Sequence, residues 1–173
     1  VHPTNLGALL GDEPRLVPCT AAAVMACIDA TGRSPAGQNA VVVGRSRIVG
    51  RPLSVLLSER KPGLNATVTL CHSGTRDLKA ITREAEILIV AMGRRRAIGA
   101  EHVRPGAVVI DVGIHPVENP KPGAPRYEGD VDFDAIRSIA SAITPVPGGV
   151  GPMTVALLLR NLADAAEAQV GIS

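Results

Sequence analysis

A series of short, largely apolar segments separated by helical patterns restricts this chain to few folds. These segments are NAVVVG (39–44), ATVTLC (66–71), EILIVAMG (86–93), AVVIDVG (107–113) and SAIT (141–144). Strands that are apolar on both faces are typical of a parallel sheet covered by helices. The chain is therefore predicted to be an α/β protein with a doubly wound, mostly parallel, Rossmann-like sheet and helices on both faces.

Helical patterns fill the intervals between these segments. The spacing of apolar residues predicts helices over 52–60, 77–85 and 132–140, with at most two turns over 97–103. Thr20 is predicted to cap an earlier helix that ends before Gly32. A last helix is predicted from Pro152, with an apolar stripe of Val155, Leu158, Leu159, Leu162 and Ala166. The opening VHPTNLG and the proline-rich segment 115–130 are predicted to be irregular, the latter as a surface excursion.

Composition argues against several classes of partner. The aromatic content of 1% leaves little for nucleic-acid bases to stack on, and a net charge of +2 is too small for a general polyanion binder. The basic run GRRRA (93–97) is therefore interpreted as a solvated loop, and no nucleic acid is expected. No apolar run approaches the roughly 18 residues of a membrane span, so no membrane partner is expected. Three cysteines without C-x-x-C spacing and four histidines without metal-site spacing predict reduced thiols, a cytoplasmic location and no metal.

The loop GRSRIVG (44–50) lies where a nucleotide-binding sheet carries its phosphate loop. It departs from G-x-G-x-x-G, because Ser46 and Val49 occupy the second and third glycine positions and Gly50 comes one residue late. Gly44 supplies a tight turn and Ser46 adds a hydroxyl donor, which suits phosphate binding at a helix N-terminus. A plain strand-to-helix turn stays open as the alternative.

The end of the second strand, CHSGT (71–75), indicates which cofactor would bind. An NAD-binding chain commonly places an acid there to accept the ribose hydroxyls, but here no acid occurs before Asp77. Hydroxyl donors near Arg45 or Arg76 suit a 2′-phosphate, which favours NADP over NAD. Alternatively, Ser73 and Thr75 cap the following helix.

Two further segments follow strands. In DVGIHP (111–116), Asp111 is predicted to be a buried structural carboxylate and His115 a surface residue. The segment TPVPGGVGPMT (144–154) combines stiffening prolines with permissive glycines, and we expect it to line the ligand cleft. No nucleophile triad or Tyr-x-x-x-Lys pair can be assembled, so no catalytic residue is predicted in this chain.

These patterns divide the chain into two parts. Residues 1–36 are expected to form a connector segment with one helix, and residues 37–173 an NAD(P)-binding Rossmann-like domain. Because the chain opens at Val1 rather than at a methionine, we expect it to be the later part of a longer protein.

Five motifs together resemble one enzyme family. They are VVVGRSRIVGRP, ATVTLCHSGT, AVVIDVGI, GDVD and ITPVPGGVGPMTVALL, and they are similar to those of the bifunctional methylenetetrahydrofolate dehydrogenase/methenyltetrahydrofolate cyclohydrolase family. The resemblance covers essentially the whole chain. It implies oxidation of 5,10-methylenetetrahydrofolate with NADP⁺ and hydrolysis of the product to 10-formyltetrahydrofolate. It further implies a cytoplasmic homodimer, with a tetrahydrofolate derivative as substrate, in one-carbon metabolism and purine biosynthesis.

The same resemblance assigns roles to individual residues. The implied cofactor-binding residues are Gly44, Arg45, Ser46, Val49, Pro52, His72, Ser73, Gly93, Gly113, Ile114 and Thr154. Of these, Arg45 and Ser73 would lie near the 2′-phosphate and Ile114 beside the nicotinamide. The residues implied to border the folate are Pro147, Gly148, Gly149 and Val150.

The resemblance also implies what this chain lacks. The family's catalytic lysine, with its tyrosine and glutamine companions, belongs to a preceding N-terminal domain, and its folate-binding aspartate would stand just before Val1. The chain alone is therefore expected to be inactive. Two departures from the family pattern are Ala21, where proline is usual, and Arg95, which replaces a common proline.

Two other functions stay open from sequence alone. One is a stand-alone, non-catalytic NAD(P)-binding module. The other is a Rossmann dehydrogenase of another substrate class, such as a shikimate-type enzyme, although the segment 144–154 argues against it.

Overall fold

The computed structural model describes residues 1–118, 120, 123–124 and 126–171 of the chain. The helices are α1 (Pro3–Leu10), α2 (Cys19–Asp29), α3 (Gly50–Ser58), α4 (Leu78–Arg83), α5 (Phe133–Ile136) and α6 (Val150–Val170), with a 3₁₀ turn at Ala100–His102. The strands are β1 (Asn39–Val43), β2 (Thr67–Cys71), β3 (Ile87–Val90), β4 (Val108–Asp111), β5 (His115–Pro116), β6 (Tyr127–Glu128) and β7 (Ala142–Ile143).

Five of the strands form one parallel sheet in the order β2-β1-β3-β4-β7. The chain leaves β1 towards β2 on one side and then crosses to β3 on the other. The strand order therefore reverses beside β1, which is the point where doubly wound sheets bind their ligands. The predicted fold class is confirmed.

The two faces of the sheet carry separate apolar cores because successive side chains of a strand point to opposite faces. Val42 packs on one face, with buried residues of α2 and α3 such as Val24 and Leu53. Val41 and Val43 pack on the other face, beside elements that include α5. Helices thus cover both faces, as the apolar strands predicted.

The beginning of the chain differs from its prediction. The opening segment is helical rather than irregular, because Pro3 suits a first helical position and the Nδ1 atom of His2 accepts a hydrogen bond from the Thr4 N–H at 3.3 Å. Helix α2 begins at Cys19 after Pro18, so Thr20 is not its cap. Gly32 does adopt the expected left-handed conformation, with φ +71°.

Several boundaries also differ. Helices α3 and α6 each begin two residues earlier than predicted, at Gly50 and Val150, and α5 is a single helical turn. Part of segment 115–130 pairs as an antiparallel ladder, with His115 opposite Glu128, where no regular structure was predicted. Within that segment, residues 119, 121, 122 and 125 lie outside the described residues.

Helix α6 leaves its predicted apolar stripe at the surface. Val155, Leu158, Leu159 and Leu162 are 56–66% exposed. The helix instead packs on α2 through another line of residues, where the Asn161 side-chain amide donates to the Val17 carbonyl at 2.8 Å. No helix within the described ranges is both long enough and apolar enough to cross a membrane.

Candidate functional site

Four loops meet at one edge of the sheet because their strands are parallel and in register. Val43 pairs with Cys71 on one side and with Val90 on the other, and Val90 pairs with Asp111. Most of the predicted cofactor-binding residues lie on the loops that follow these four strand ends, namely Gly44, Arg45, Ser46, Val49, His72, Ser73, Gly93, Gly113 and Ile114. The two others lie within helices, Pro52 in α3 and Thr154 in α6. The structure thus gathers most of the predicted site at one edge of the sheet, on both sides of the switch point.

Two glycines shape the β1–α3 loop. Gly44 has φ +129°, and a Cβ atom there would overlap the carbonyl of Ala91. A Cβ atom on Gly50 would overlap the Gly44 carbonyl oxygen, so the start of α3 packs directly on the turn. Gly50, one residue late for the usual motif, is therefore required by packing within the loop itself.

Ser46 holds this loop closed. Its Oγ accepts the Val49 N–H at 3.1 Å, and its carbonyl accepts the Arg51 N–H at 3.1 Å. Pro52 has no N–H to offer. At the start of α3 the Val49 and Arg51 amides are thus engaged and Pro52 offers none, so side chains can add to the attraction for an anion.

The side chains available for that role are cationic. Arg45 and Arg47 are exposed, and neither forms an ion pair with any residue that the structure describes. The Ser46 oxygen accepts the Val49 N–H, so the hydroxyl can still donate its own proton in a hydrogen bond to an anion. Val49 and Pro52 have buried side chains, so any contribution they make is to the shape of the loop.

The β2–α4 loop is built by its own hydrogen bonds. Thr75 Oγ1 accepts the His72 N–H at 2.9 Å, and His72 Nδ1 accepts the Gly74 N–H at 3.0 Å. Asp77 caps α4 by accepting the Ala80 N–H at 3.2 Å. The alternative in which Ser73 and Thr75 cap this helix is therefore wrong, and Ser73 stays exposed beside the loop.

The basic run after β3 is paired rather than simply solvated. Arg95 Nε lies 2.6 Å from a Glu128 carboxylate oxygen, and Arg96 Nη2 lies 2.7 Å from Asp132 Oδ1. These guanidinium groups lower the pKa of Glu128 and of Asp132. Both arginine side chains are nearly half exposed, so the pairs contribute little stability but offset two of the three charges of the run.

Asp111 is a structural carboxylate, as predicted. It is 3% exposed and accepts hydrogen bonds from the N–H groups of Gly113, Asp130 and Val131 at 2.9–3.0 Å. Burial raises its pKa to about 6, against the opposing effect of these three bonds. The carboxylate therefore links the end of β4 to the segment that follows β6.

His115 is not a surface residue, contrary to the prediction. Its Nε2 lies 2.7 Å from Asp130 Oδ1, and its side chain is only 22% exposed. Asp130 itself is fully buried. Sequence reasoning missed Asp130. The available signal was its place in GDVD, where it stands between a glycine and the apolar Val131.

The proline–glycine segment forms a constrained turn before α6. Val146–Pro147 is a cis peptide bond, and Gly148 has φ +111°. The Gly149 N–H donates to the Pro145 carbonyl at 2.9 Å, and Val150 is buried. The Thr154 hydroxyl donates to the Val150 carbonyl at 2.8 Å, which leaves its oxygen free to accept only.

A cavity of about 410 Å³ lies beside this turn. Asp111, Tyr127 and the stretch Thr144–Pro147 are among the residues that line it, but none of the predicted cofactor-binding residues does. Of the predicted folate-bordering residues, Pro147 alone lines this cavity. Among the described residues no group of three or more potential metal ligands exists.

Comparison with known families gives one consistent match. Residues 18–170 match the family described as tetrahydrofolate dehydrogenase/cyclohydrolase, NAD(P)-binding domain. The bifunctional protein FolD of Treponema pallidum is 55% identical over 174 residues, which cover 99% of this chain and 54% of that protein. FolD of Geobacillus thermodenitrificans is 52% identical over 165 residues, which cover 95% of this chain and 55% of its own length. The chain spans about half the length of these curated relatives.

Solved structures agree with the sequence match. A 5,10-methylenetetrahydrofolate dehydrogenase from the silkworm Bombyx mori is 45% identical with a TM-score of 0.89, covering 98% of this chain and 58% of that one. The methylenetetrahydrofolate dehydrogenase-cyclohydrolase of Trypanosoma brucei, solved with NADP cofactor and an inhibitor, is 43% identical with a TM-score of 0.88. That alignment covers 98% of this chain and 57% of the other.

Proposed function

This chain belongs to the tetrahydrofolate dehydrogenase/cyclohydrolase family, as its NAD(P)-binding domain, and on that basis we propose that it binds NADP for a folate-oxidising enzyme. The complete enzyme would oxidise 5,10-methylenetetrahydrofolate to 5,10-methenyltetrahydrofolate and hydrolyse the product to 10-formyltetrahydrofolate. The names of the relatives support this proposal, as does the NADP in the Trypanosoma brucei structure.

The single observation that carries the proposal is the loop that follows β1. Glycines at 44 and 50 allow the turn to pack on the start of α3, while Arg45 and Ser46 stay exposed. A negatively charged phosphate would meet a guanidinium and a hydroxyl donor there, and charge-assisted hydrogen bonds are the strong ones. The chain therefore offers a phosphate site to which these two side chains contribute.

The preference for NADP over NAD rests on the neighbouring loop. No acid lies between Cys71 and Asp77, and the Asp77 carboxylate is engaged in capping α4. No carboxylate of this loop is therefore free to accept hydrogen bonds from the ribose hydroxyls or to repel a 2′-phosphate. We propose that Arg45 and Ser73 contact that phosphate, together with the other cofactor-binding residues of the four loops.

The cofactor, when bound, would supply the acceptor for a hydride from the folate methylene group. The work of this chain would be to hold the acceptor in place and to border the folate through Pro147 to Val150. Ile114 is 63% exposed in the loop after β4, which gives an apolar side chain for the nicotinamide to pack on. Positioning of this kind matters because hydride transfer requires near contact between the reacting atoms.

We propose that the acid–base chemistry comes from outside these residues. The two buried carboxylates beside the loops, Asp111 and Asp130, are engaged by backbone N–H groups. The chain spans about half the length of its relatives. We propose that the N-terminal domain implied by the family resemblance supplies a lysine base in the complete protein. We further propose that the complete protein is a cytoplasmic homodimer that provides one-carbon units for purine biosynthesis. The free cysteines of this chain support a reducing compartment.

Arg45→Ala tests the cofactor assignment. Loss of a charge-assisted hydrogen bond of about 1.5–3 kcal/mol predicts a roughly 10- to 100-fold rise in the Kd for NADP, with little change for NAD. Isothermal titration with both cofactors measures this difference. Arg60→Ala is the matched control, because it removes one exposed arginine beyond the other end of α3 and should change neither Kd. Equal losses for both cofactors in Arg45→Ala would show that Arg45 does not read the 2′-phosphate.

A further inference from the structure

Asp130 joins three segments of the molecule through one buried carboxylate. Oδ2 accepts the N–H groups of Met92 at 2.7 Å and of Gly93 at 2.9 Å, and Oδ1 accepts the N–H of Arg94 at 2.8 Å. Oδ1 also lies 2.7 Å from His115 Nε2. A single side chain therefore determines the path of the loop after β3 and holds the side chain that follows β4.

The surroundings of Asp130 leave it little freedom to move. A Cβ atom on Gly113 would lie 2.5–2.6 Å from Asp130 side-chain atoms, so the loop after β4 packs directly on this carboxylate. The Asp130 N–H in turn donates to Asp111 Oδ1 at 3.0 Å, which holds its backbone. His115 and Asp111 are the titratable groups in direct contact with Asp130.

The two loops that Asp130 holds are those at the carboxyl ends of β3 and β4. They carry Gly93, Gly113 and Ile114, whereas Arg45 and Ser73 lie on the loops after β1 and β2. The carboxylate therefore acts on one half of the proposed cofactor site. Asp130 lies 36–38 positions along the chain from the amides that donate hydrogen bonds to it. Only the folded domain therefore creates this contact.

We propose that Asp130 is a positioning residue of the cofactor site: by binding the amides of residues 92–94 and the ring of His115, it holds both loops in the conformation that receives the nicotinamide half of the cofactor. This inference rests on the proposed NADP-binding function. It assigns no contact between Asp130 and the cofactor, because the carboxylate is fully buried.

Asp130→Asn tests the proposal in the 173-residue chain. The carboxamide keeps the shape of the side chain, but its NH₂ group would face a backbone N–H donor, which should loosen the loop. We expect at least a roughly tenfold rise in the Kd for NADP⁺ and less than about a twofold change for 2′,5′-ADP, a probe that lacks the nicotinamide half. Asp134→Asn, an exposed carboxylate in α5, is the matched control and should change neither Kd.

The other outcomes are equally decisive. Equal weakening of both ligands would indicate general loss of structure and would overturn the proposal, as would unchanged binding of both. Failure of the unmodified chain to bind either ligand would instead overturn the proposed function on which the inference rests. If Asp130→Asn does not fold, His115→Gln decides in its place: a selective loss for NADP⁺ supports the proposal, and an equal loss or no loss overturns it.

Discussion

At the scale of single residues, the loops of this domain depend on glycines, which have no side chain, and on buried carboxylates. Gly44 and Gly50 permit a contact between backbone segments that a methyl group would prevent. Asp111 and Asp130 use buried carboxylates to satisfy backbone amides that would otherwise lack partners. The loops at this edge of the sheet are thus held in two ways. Close backbone packing shapes the loop after β1, and buried carboxylates hold the loops after β3 and β4.

Gly50→Ala should destabilise the domain. The added Cβ would overlap the Gly44 carbonyl, which is backbone and must shift, at a cost of about 1–3 kcal/mol for overpacking. Urea unfolding of the variant and the unmodified chain measures the loss. Gly7→Ala is the matched control: nothing lies within 4 Å of the position that its methyl group would occupy in α1, so better helix propensity should stabilise by up to about 1 kcal/mol. Equal effects of the two substitutions would contradict the packing role of Gly50.

Asp111→Asn should change how stability depends on pH. Burial raises the pKa of Asp111 from 3.8 to about 6, so the folded state holds a proton that the unfolded state has already lost between these values. The contribution of this group is therefore full below about pH 4 and is lost as pH rises to about 6, by at most about 3 kcal/mol. Asparagine does not titrate, so the stability of the unmodified chain relative to the variant should fall over this range.

Urea unfolding at intervals between about pH 4 and pH 7 measures that difference directly. Glu128 and Asp132, whose pKa values are lowered, lose stability as pH falls in both proteins, so their effects cancel in the comparison. Asp134→Asn should keep the pH dependence of the unmodified chain. Parallel curves for Asp111→Asn and the unmodified chain would show that the Asp111 pKa is not raised.

At the scale of elements, α3 and α6 show how differently two amphipathic helices can be used. Leu53 and Leu57 of α3 are fully buried against the sheet. Helix α6 instead packs on α2 through other residues, and its apolar stripe is exposed. An apolar spacing on a helix therefore identifies an apolar face, but it does not show whether this domain itself covers that face.

Leucine truncation on these two helices should separate the two cases. Leu57→Ala removes a fully buried side chain and should cost about 2–5 kcal/mol of unfolding free energy. Leu159→Ala removes a side chain that is 62% exposed and should change it by no more than about 0.5 kcal/mol. Chemical denaturation measures both. A large loss for Leu159→Ala would mean that the stripe is covered when the chain is in solution.

At the scale of the whole molecule, the strand order decides where the site lies. The chain departs in opposite directions beside β1, so the loops after β1 and β3 separate and leave an open edge between the helical layers. All the predicted cofactor loops open onto that edge, while the predicted folate border precedes α6 at the end of β7. Both halves of the proposed site therefore follow the carboxyl ends of parallel strands of one sheet.

The chain alone should bind NADP weakly and should not turn over folate. Beside the loops, its buried acids are engaged by backbone amides, and the proposed base belongs to another domain. Titration with NADP, together with dehydrogenase and cyclohydrolase assays of the 173-residue chain, measures the two properties separately. A measurable cyclohydrolase rate from this chain would contradict the assignment of catalysis to residues outside it.

The fold class, the five parallel strands and the loops that meet at their ends could all be predicted from the residues alone. Strand and helix periodicities are local, and Gly44 and the acid-free CHSGT loop lie within a few residues of the strands that place them. Helix ends were less predictable, since α3 and α6 begin at Gly50 and Val150 without a side-chain cap, two residues before the prolines at which their starts were predicted.

For several loop and surface side chains, burial and pairing became known only from the folded domain. The Asp130 carboxylate accepts a hydrogen bond from an amide 38 positions away, and the His115 ring lies beside the same carboxylate. In the arginine run, Arg95 pairs with Glu128, which lies on a distant segment. The stripe on α6 stays exposed because α2 packs on a different line of that helix. These are contacts between distant segments, and their energies exist only once the sheet has brought those segments together.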